Sequence, residues 1–218
     1  MLLVWENAFS DIDQLNLTLF VEEIAKAVVD TKFRPGDVPA VVELCQKMHQ
    51  RYAGFTPVVV QGLQQHINTN PRDDKEAVKN RRVVLRMLIE LTQVGVFADY
   101  GYFLSVLRAC CGLPPSGGDD KPNLGAMDVG MLSTFVKYGA EDLCGLASRK
   151  LANLLETAGK RGQLREYMSD MVPEPLRNRL RSLVELAFHT LAQEYVRQRK
   201  ELKKLEKRFE RDSVMFGN

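Results

Sequence analysis

The amino-acid sequence predicts an all-α protein, a HEAT-like solenoid of antiparallel helix pairs with a long C-terminal helix. Three observations carry this prediction. From Asn16 to Ile67 the chain reads helix, breaker, helix, breaker, helix, each with its apolar residues on one side. Helix pairs then recur about every 40 residues, the period of HEAT-type repeats, without a strict sequence repeat. After Pro175 neither glycine nor proline occurs before Asp212, so the final element reads as one helix.

Residues 1–15 read as the end of a helix followed by a loop, an N-terminal extension belonging to a longer protein. The helical domain is predicted over 16–172. Its first helix runs from about Leu17 to Thr31, with Leu17, Phe20, Val21, Ile24 and Val28 on one face and Glu22, Glu23, Lys26 and Asp30 on the other. Lys32 to Gly36 breaks it. Asp37 is placed as N-cap of a second helix to about Ala53, where Pro39 is tolerated in the first turn and Val38, Val41, Val42, Cys45, Met48 and Tyr52 form the stripe. Gly54 ends that helix, and Thr56-Pro57 opens a third to about Asn68.

Asp73 or Asp74 caps a fourth helix to about Val94. Val84, Leu85, Leu88, Ile89 and Leu91 leave it only a narrow polar strip, so it is predicted to be the most buried. Phe103, Val106, Leu107 and Cys110 define a fifth, and SGGDDKPN over 116–123 reads as a flexible loop. Met131, Leu132, Phe135 and Val136 mark a sixth, and Leu143, Ala147, Leu151 and Leu154 a seventh that closes at Gly159. A short helix is placed around Leu164 to Met168. The last region, 173–218, is a charged helix from about Glu174 to Asp212, roughly 55 to 60 Å long at 1.5 Å per residue. Leu176, Leu180, Leu183 and Ala187 begin its apolar seam, which resumes at Leu202, Leu205 and Phe209; the first half is expected to pack on the stack and the second to project or lie across a neighbour.

With 218 residues, 45% apolar, the chain can bury a sizeable core. Basic and acidic residues nearly cancel, giving a formal net charge of +2, so no global field demands a nucleic-acid or membrane partner. The four cysteines, Cys45, Cys110, Cys111 and Cys144, fall within helical patterns rather than in a disulfide framework; that favours reduced thiols and a cytosolic or nuclear home. The opening MLLVWENAF lacks the positive region and apolar length of a signal peptide, and no stretch approaches the roughly 20 apolar residues of a membrane span. Asn16-Leu17-Thr18 matches a glycosylation acceptor, but helix capping is its expected use.

No phosphate loop, nucleophile elbow, zinc-protease motif or paired C-x-x-C is present, so no enzyme, cofactor or metal is expected. Asp119-Asp120 lacks the alternating ligands of a calcium loop. His49, His66 and His189 lie in different helices without partners at ligand spacing. The basic residues are the best functional signal. Arg197, Arg199, Lys200, Lys203, Lys204, Lys207, Arg208 and Arg211 face only Glu201, Glu206 and Glu210, a local excess suited to RNA phosphates or an acidic protein. Glutamates at helical spacing also make such a run an ordinary solvated face. A smaller basic group, Lys75, Lys79, Arg81, Arg82 and Arg86, occupies the fourth helix; Lys79 and Arg82 are its candidate contacts.

Three collinear segments, FVEEIAKAVVDTKFRPGDVPAVVELCQKMHQRYAGFTPVVVQ, LRMLIELTQVGVFAD and STFVKYGAEDLCGL, resemble the MIF-four-G domain family, named after the middle domain of the translation scaffold eIF-four-G. Within it they are similar to the first such domain of the up-frameshift-two proteins, from about Asp11 to about Ala158. The resemblance implies a HEAT-like stack and membership of the nonsense-mediated mRNA decay machinery. There these proteins bridge the up-frameshift one RNA helicase to up-frameshift three through a later domain and a C-terminal tail that this sequence does not match. The implied role is therefore a non-catalytic scaffold working through protein contacts, in the cytoplasm, at the nuclear periphery or partly in the nucleus. The alternatives are direct RNA binding by the basic C-terminal helix, or a related scaffold in translation or splicing that binds a DEAD-box helicase. No binding residue carries over by motif, and no membrane partner is implied.

Overall fold

Side-chain caps show where this chain turns into helix. The computed structural model describes residues 2–69, 74–114, 121–160, 163, 166 and 169–216. Among them run α1 Leu2–Gln14, α2 Val21–Asp30, α3 Val38–Arg51, α4 Phe55–Thr69, α5 Lys75–Gln93, α6 Tyr100–Cys110, α7 Val129–Cys144, α8 Arg149–Thr157 and α9 Glu174–Phe216. The Asp74 carboxylate accepts from the Glu76 and Ala77 amides at 3.1 and 3.2 Å, heading α5. Asp99 does so for Tyr102 at 3.1 Å, Asp128 for Met131 at 3.0 Å and Ser148 for Leu151 at 3.2 Å. Each satisfies a donor that the first turn leaves without an intrahelical partner, worth about 1 kcal/mol.

The helices stack as the periodicity predicts. In one row α1, α3, α5, α7 and α9 each pack on the next; in the other α2 packs on α4, while α6 packs on α7 and α9. Neighbours two apart in sequence are the mark of stacked helix pairs. α5 touches α3, α4 and α7 and buries Val83, Val84, Leu85, Met87, Leu88, Ile89 and Leu91, so the predicted most apolar helix is central. Each such side chain contributes about 2 kcal/mol of burial. Phe97 and Phe135 meet Phe103 with ring centroids 5.7 and 6.0 Å apart, joining α6 to α7.

Several boundaries differ from the sequence prediction. Residues 2–15 are not a helix end and loop: α1 is continuous over Leu2–Gln14, buries Ile12 and fixes Asp13 to Lys47 at 2.8 Å and to Arg51 at 3.6 Å. A 3-10 turn over Thr18–Phe20 precedes α2 and leaves Phe20 half exposed. Asp37 stands at the head of α3 without a capping bond; its carboxylate accepts instead from the Arg34 amide at 3.1 Å, closing the preceding turn. Leu143 belongs to α7 rather than to a seventh helix, because Gly145, at φ 63°, ends α7 in the left-handed region. In α8 the buried leucine is Leu155, while Leu154 is 59% exposed. The alternative cap Asp73, most of the 116–123 loop and most of the short helix placed around Leu164 to Met168 lie outside the described residues.

Candidate functional site: the projecting helix and a basic groove

α9 begins as part of the core. Leu180, Leu183 and Ala187 are buried against α6 and α7. Arg177 donates to the Val172 carbonyl at 2.9 Å and reaches Asp170 at 3.4 Å, and Arg181 donates to the Gly145 carbonyl. From Tyr195 to Arg211 every residue is exposed. The part of the helix beyond Glu194 continues for about 33 Å at 1.5 Å per residue. The second half therefore projects.

The eight candidate cations of the basic run all lie on this projection. Arg197 is engaged within the helix, by Glu194 at 2.7 Å and Glu201 at 3.4 Å. The hydrogen bonds from Arg197 and Gln198 hold the Glu194 carboxyl below its ordinary value, and the hydrogen bond and charge of Glu194, with the charge of Glu201, raise Arg197. Arg211 donates back to the Lys207 carbonyl at 3.0 Å. Arg199, Lys200, Lys203, Lys204, Lys207 and Arg208 are exposed and form no ion pair among the described residues.

Sequence periodicity found only part of the apolar seam. Phe188, Tyr195, Leu202 and Phe209 recur every seventh residue and are 67%, 64%, 56% and 75% exposed, with Leu205 between the last two at 58%. A seven-residue apolar repeat is the seam by which one helix packs along another. Glu194 and Glu201 flank it on one side, Arg199 and Glu206 on the other. Phe188 and Tyr195 were missed because nothing in the sequence says where the body stops covering α9.

The second basic group divides in three dimensions. Arg81 turns inward, 6% exposed, donating to the Ile67 carbonyl at 3.1 Å and pairing with Asp128 at 3.1 Å. It is structural, tying α4, α5 and the head of α7. Lys79 and Arg82 instead line an open groove of about 880 Å³ between the loop after α2, α5 and α7. Lys32, Arg34, Arg86 and Lys137 line it too, against one carboxylate among the described residues, Glu76. Arg86 is fixed by Glu90 and the Pro35 carbonyl, both at 2.6 Å, and lies 4.4 Å over the Tyr138 ring. The Arg82 guanidinium rests on the backbone of Gly130, where a Cβ would sit 1.9 Å from Nη2.

The thiols and imidazoles offer no comparable surface. All four cysteines are buried thiols rather than disulfides, and burial pushes Cys45 and Cys144 up to about 12 and Cys111 to about 11. His49 shares a 2.8 Å hydrogen bond with Thr56. Among the described residues no group of three His, Cys, Asp or Glu could hold a metal ion, and no helix is long and apolar enough to cross a membrane. Asp119-Asp120 lies outside the described residues.

Comparison with known proteins gives one consistent answer. Over 197 residues, 90% of this chain, the sequence is 25% identical to regulator of nonsense transcripts 2 of Homo sapiens. The Mus musculus protein of that name is 26% identical over 204 residues. Regulator of nonsense transcripts UPF2 of Arabidopsis thaliana is 33% identical over 109 residues, 47% of the chain. The chain is similar, over nearly its whole length, to one segment of the regulator of nonsense transcripts 2 proteins. It spans about 15% of the length of the two mammalian relatives and 9% of the plant one. No family model matches the chain, and no solved structure matches it significantly.

Proposed function

We propose that this domain is a non-catalytic scaffold of nonsense-mediated mRNA decay, corresponding to the first MIF-four-G domain of its parent protein and acting in the cytoplasm or at the nuclear periphery. The observation that carries the mechanism is the projecting half of α9. Its repeated apolar seam has no cover within the described chain, and an exposed helical seam is suited to a partner helix. The relatives' names supply the pathway; the seam supplies the means, protein contact.

The test replaces Leu202, Leu205 and Phe209 together by Ser in this domain and measures which purified decay factors it retains without the rest of the parent protein, beside a DEAD-box helicase of translation. The expected result is loss of a decay-factor contact with an unchanged melting midpoint. Undiminished capture of every decay factor would remove the seam from the mechanism, and selective capture of the DEAD-box helicase would move the domain to another scaffold.

A second reading, direct RNA binding, is favoured by the exposed cations Lys200, Lys203, Lys204 and Lys207. Phosphate neutralisation would make affinity fall steeply with salt. Absence of single-stranded RNA binding at low salt removes this reading. Retained binding after Glu replaces those four lysines moves the site elsewhere.

A further inference from the structure

The groove between the loop after α2, α5 and α7 has a charge out of proportion to the chain. Among the described residues six cations, Lys32, Arg34, Lys79, Arg82, Arg86 and Lys137, line it with a single acid, whereas the whole protein carries a net charge of only +2. Two of the six are neutralised locally: Lys79 by Glu76 at 3.5 Å and Arg86 by Glu90 at 2.6 Å. Lys32, Arg34, Arg82 and Lys137 form no ion pair among the described residues. Like charges converging on one concavity repel, and the arrangement is relieved by an anionic occupant.

The rest of the lining selects among anions. Phe33, Pro35, Val83 and Val129 give the groove an apolar strip, and Val129 is 48% exposed. Tyr138, the other aromatic, already holds Arg86 at 4.4 Å and Lys137 at 5.0 Å from its ring centroid, cations with which a stacking nucleic-acid base would have to compete. A sugar-phosphate chain would satisfy the cations and leave the apolar strip wet. A peptide alternating carboxylates with apolar side chains satisfies both, because guanidinium groups pair carboxylates in bidentate geometry while the strip takes the apolar residues.

We propose that this groove is a docking site for an extended acidic peptide segment with apolar anchors. Arg34 and Arg82 grip its carboxylates, Lys32 and Lys137 add charge at the rim, and Phe33 with Val129 hold the anchor. Gly130 is part of the design, since only a residue without Cβ leaves the Arg82 guanidinium its place on α7. The groove and the α9 seam share no residue, so this inference stands or falls apart from the scaffold reading.

The test uses the whole chain and a fluorescein-labelled peptide of glutamates interspersed with leucines, followed by anisotropy, with labelled polyuridine beside it. Arg82→Glu with Lys137→Glu reverses two exposed charges that form no ion pair in the fold, and circular dichroism verifies that the variant is folded. The expected result is peptide binding that weakens with salt and falls about a hundredfold in the double variant, tenfold for each charge-assisted contact. Replacement of Lys200, Lys203, Lys204 and Lys207 by Glu is expected to leave it within twofold. No peptide binding at low salt overturns the proposal, as does binding lost only in the α9 variant. Groove-dependent polyuridine binding without peptide binding overturns it in favour of a nucleic-acid site.

Discussion

Within the single helix α9, two halves written in the same alphabet of leucines, arginines and glutamates have opposite fates. Before Glu194 the seam of Leu180, Leu183 and Ala187 is buried on α6 and α7; after it Leu202, Leu205 and Phe209 stand more than half exposed. The difference lies in what the body offers. The first half meets apolar faces and a row of backbone carbonyls, at Val172 and Gly145, placed for Arg177 and Arg181. The second half meets no neighbouring helix among the described residues and is held as helix by ion pairs such as Arg197 with Glu194. Apolar periodicity specifies which side of a helix wants a partner, and the surrounding fold decides whether the partner is internal.

Breaking the docked half has the largest expected effect. Leu180, fully buried, replaced by Ala is expected to cost about 3 kcal/mol through lost transfer energy and the cavity left behind, read from the urea midpoint. Gly145→Ala sharpens the same contact. At φ 63° the added Cβ is strained and lies 3.1 Å from Arg177 Cδ, so a loss of about 1 to 2 kcal/mol is expected. Both should leave the projecting half unaffected.

The buried thiols test the docked side by pH. Burial raises Cys111 from 9.0 to about 11 and Cys144 from 9.0 to about 12, so folding favours the neutral thiol. Their contribution is intact below pH 9 and is lost as pH rises from there toward 12. Thiol reagents at pH 8 are expected to react only at the rate of opening. Rapid labelling of Cys111, whose Sγ lies 3.8 Å from the Leu183 carbonyl, would show α9 detached. The smallest effect is expected in the projecting half, where Leu202→Ala or Phe209→Ala should change stability by less than about 0.5 kcal/mol.

Most of the fold was legible because each helix announces itself by three-and-four spacing, and α5 by being apolar nearly all round. α1 was not, because its short amphipathic pattern is completed by Lys47 and Arg51 of α3, residues far along the chain. The end of α7 was missed because apolar spacing runs on through Leu143 and Ala147, while the break is made by the conformation of Gly145. The basic run on α9 was legible as a composition, its exposure was not. Arg81 and Arg82, adjacent in sequence, are one buried and one in the groove; only the orientation of α5 separates them. The groove itself gathers residues from 32 to 138 and leaves no local signal.

Hydrogen exchange along α9 in the free protein tests the central claim most directly. The account predicts slow amide exchange from Leu176 to Leu191 and exchange orders of magnitude faster from Tyr195 to Arg211, since only the first stretch is packed. Equal, strong protection along both stretches would contradict it, showing that the second half is already covered and has no surface to give a partner.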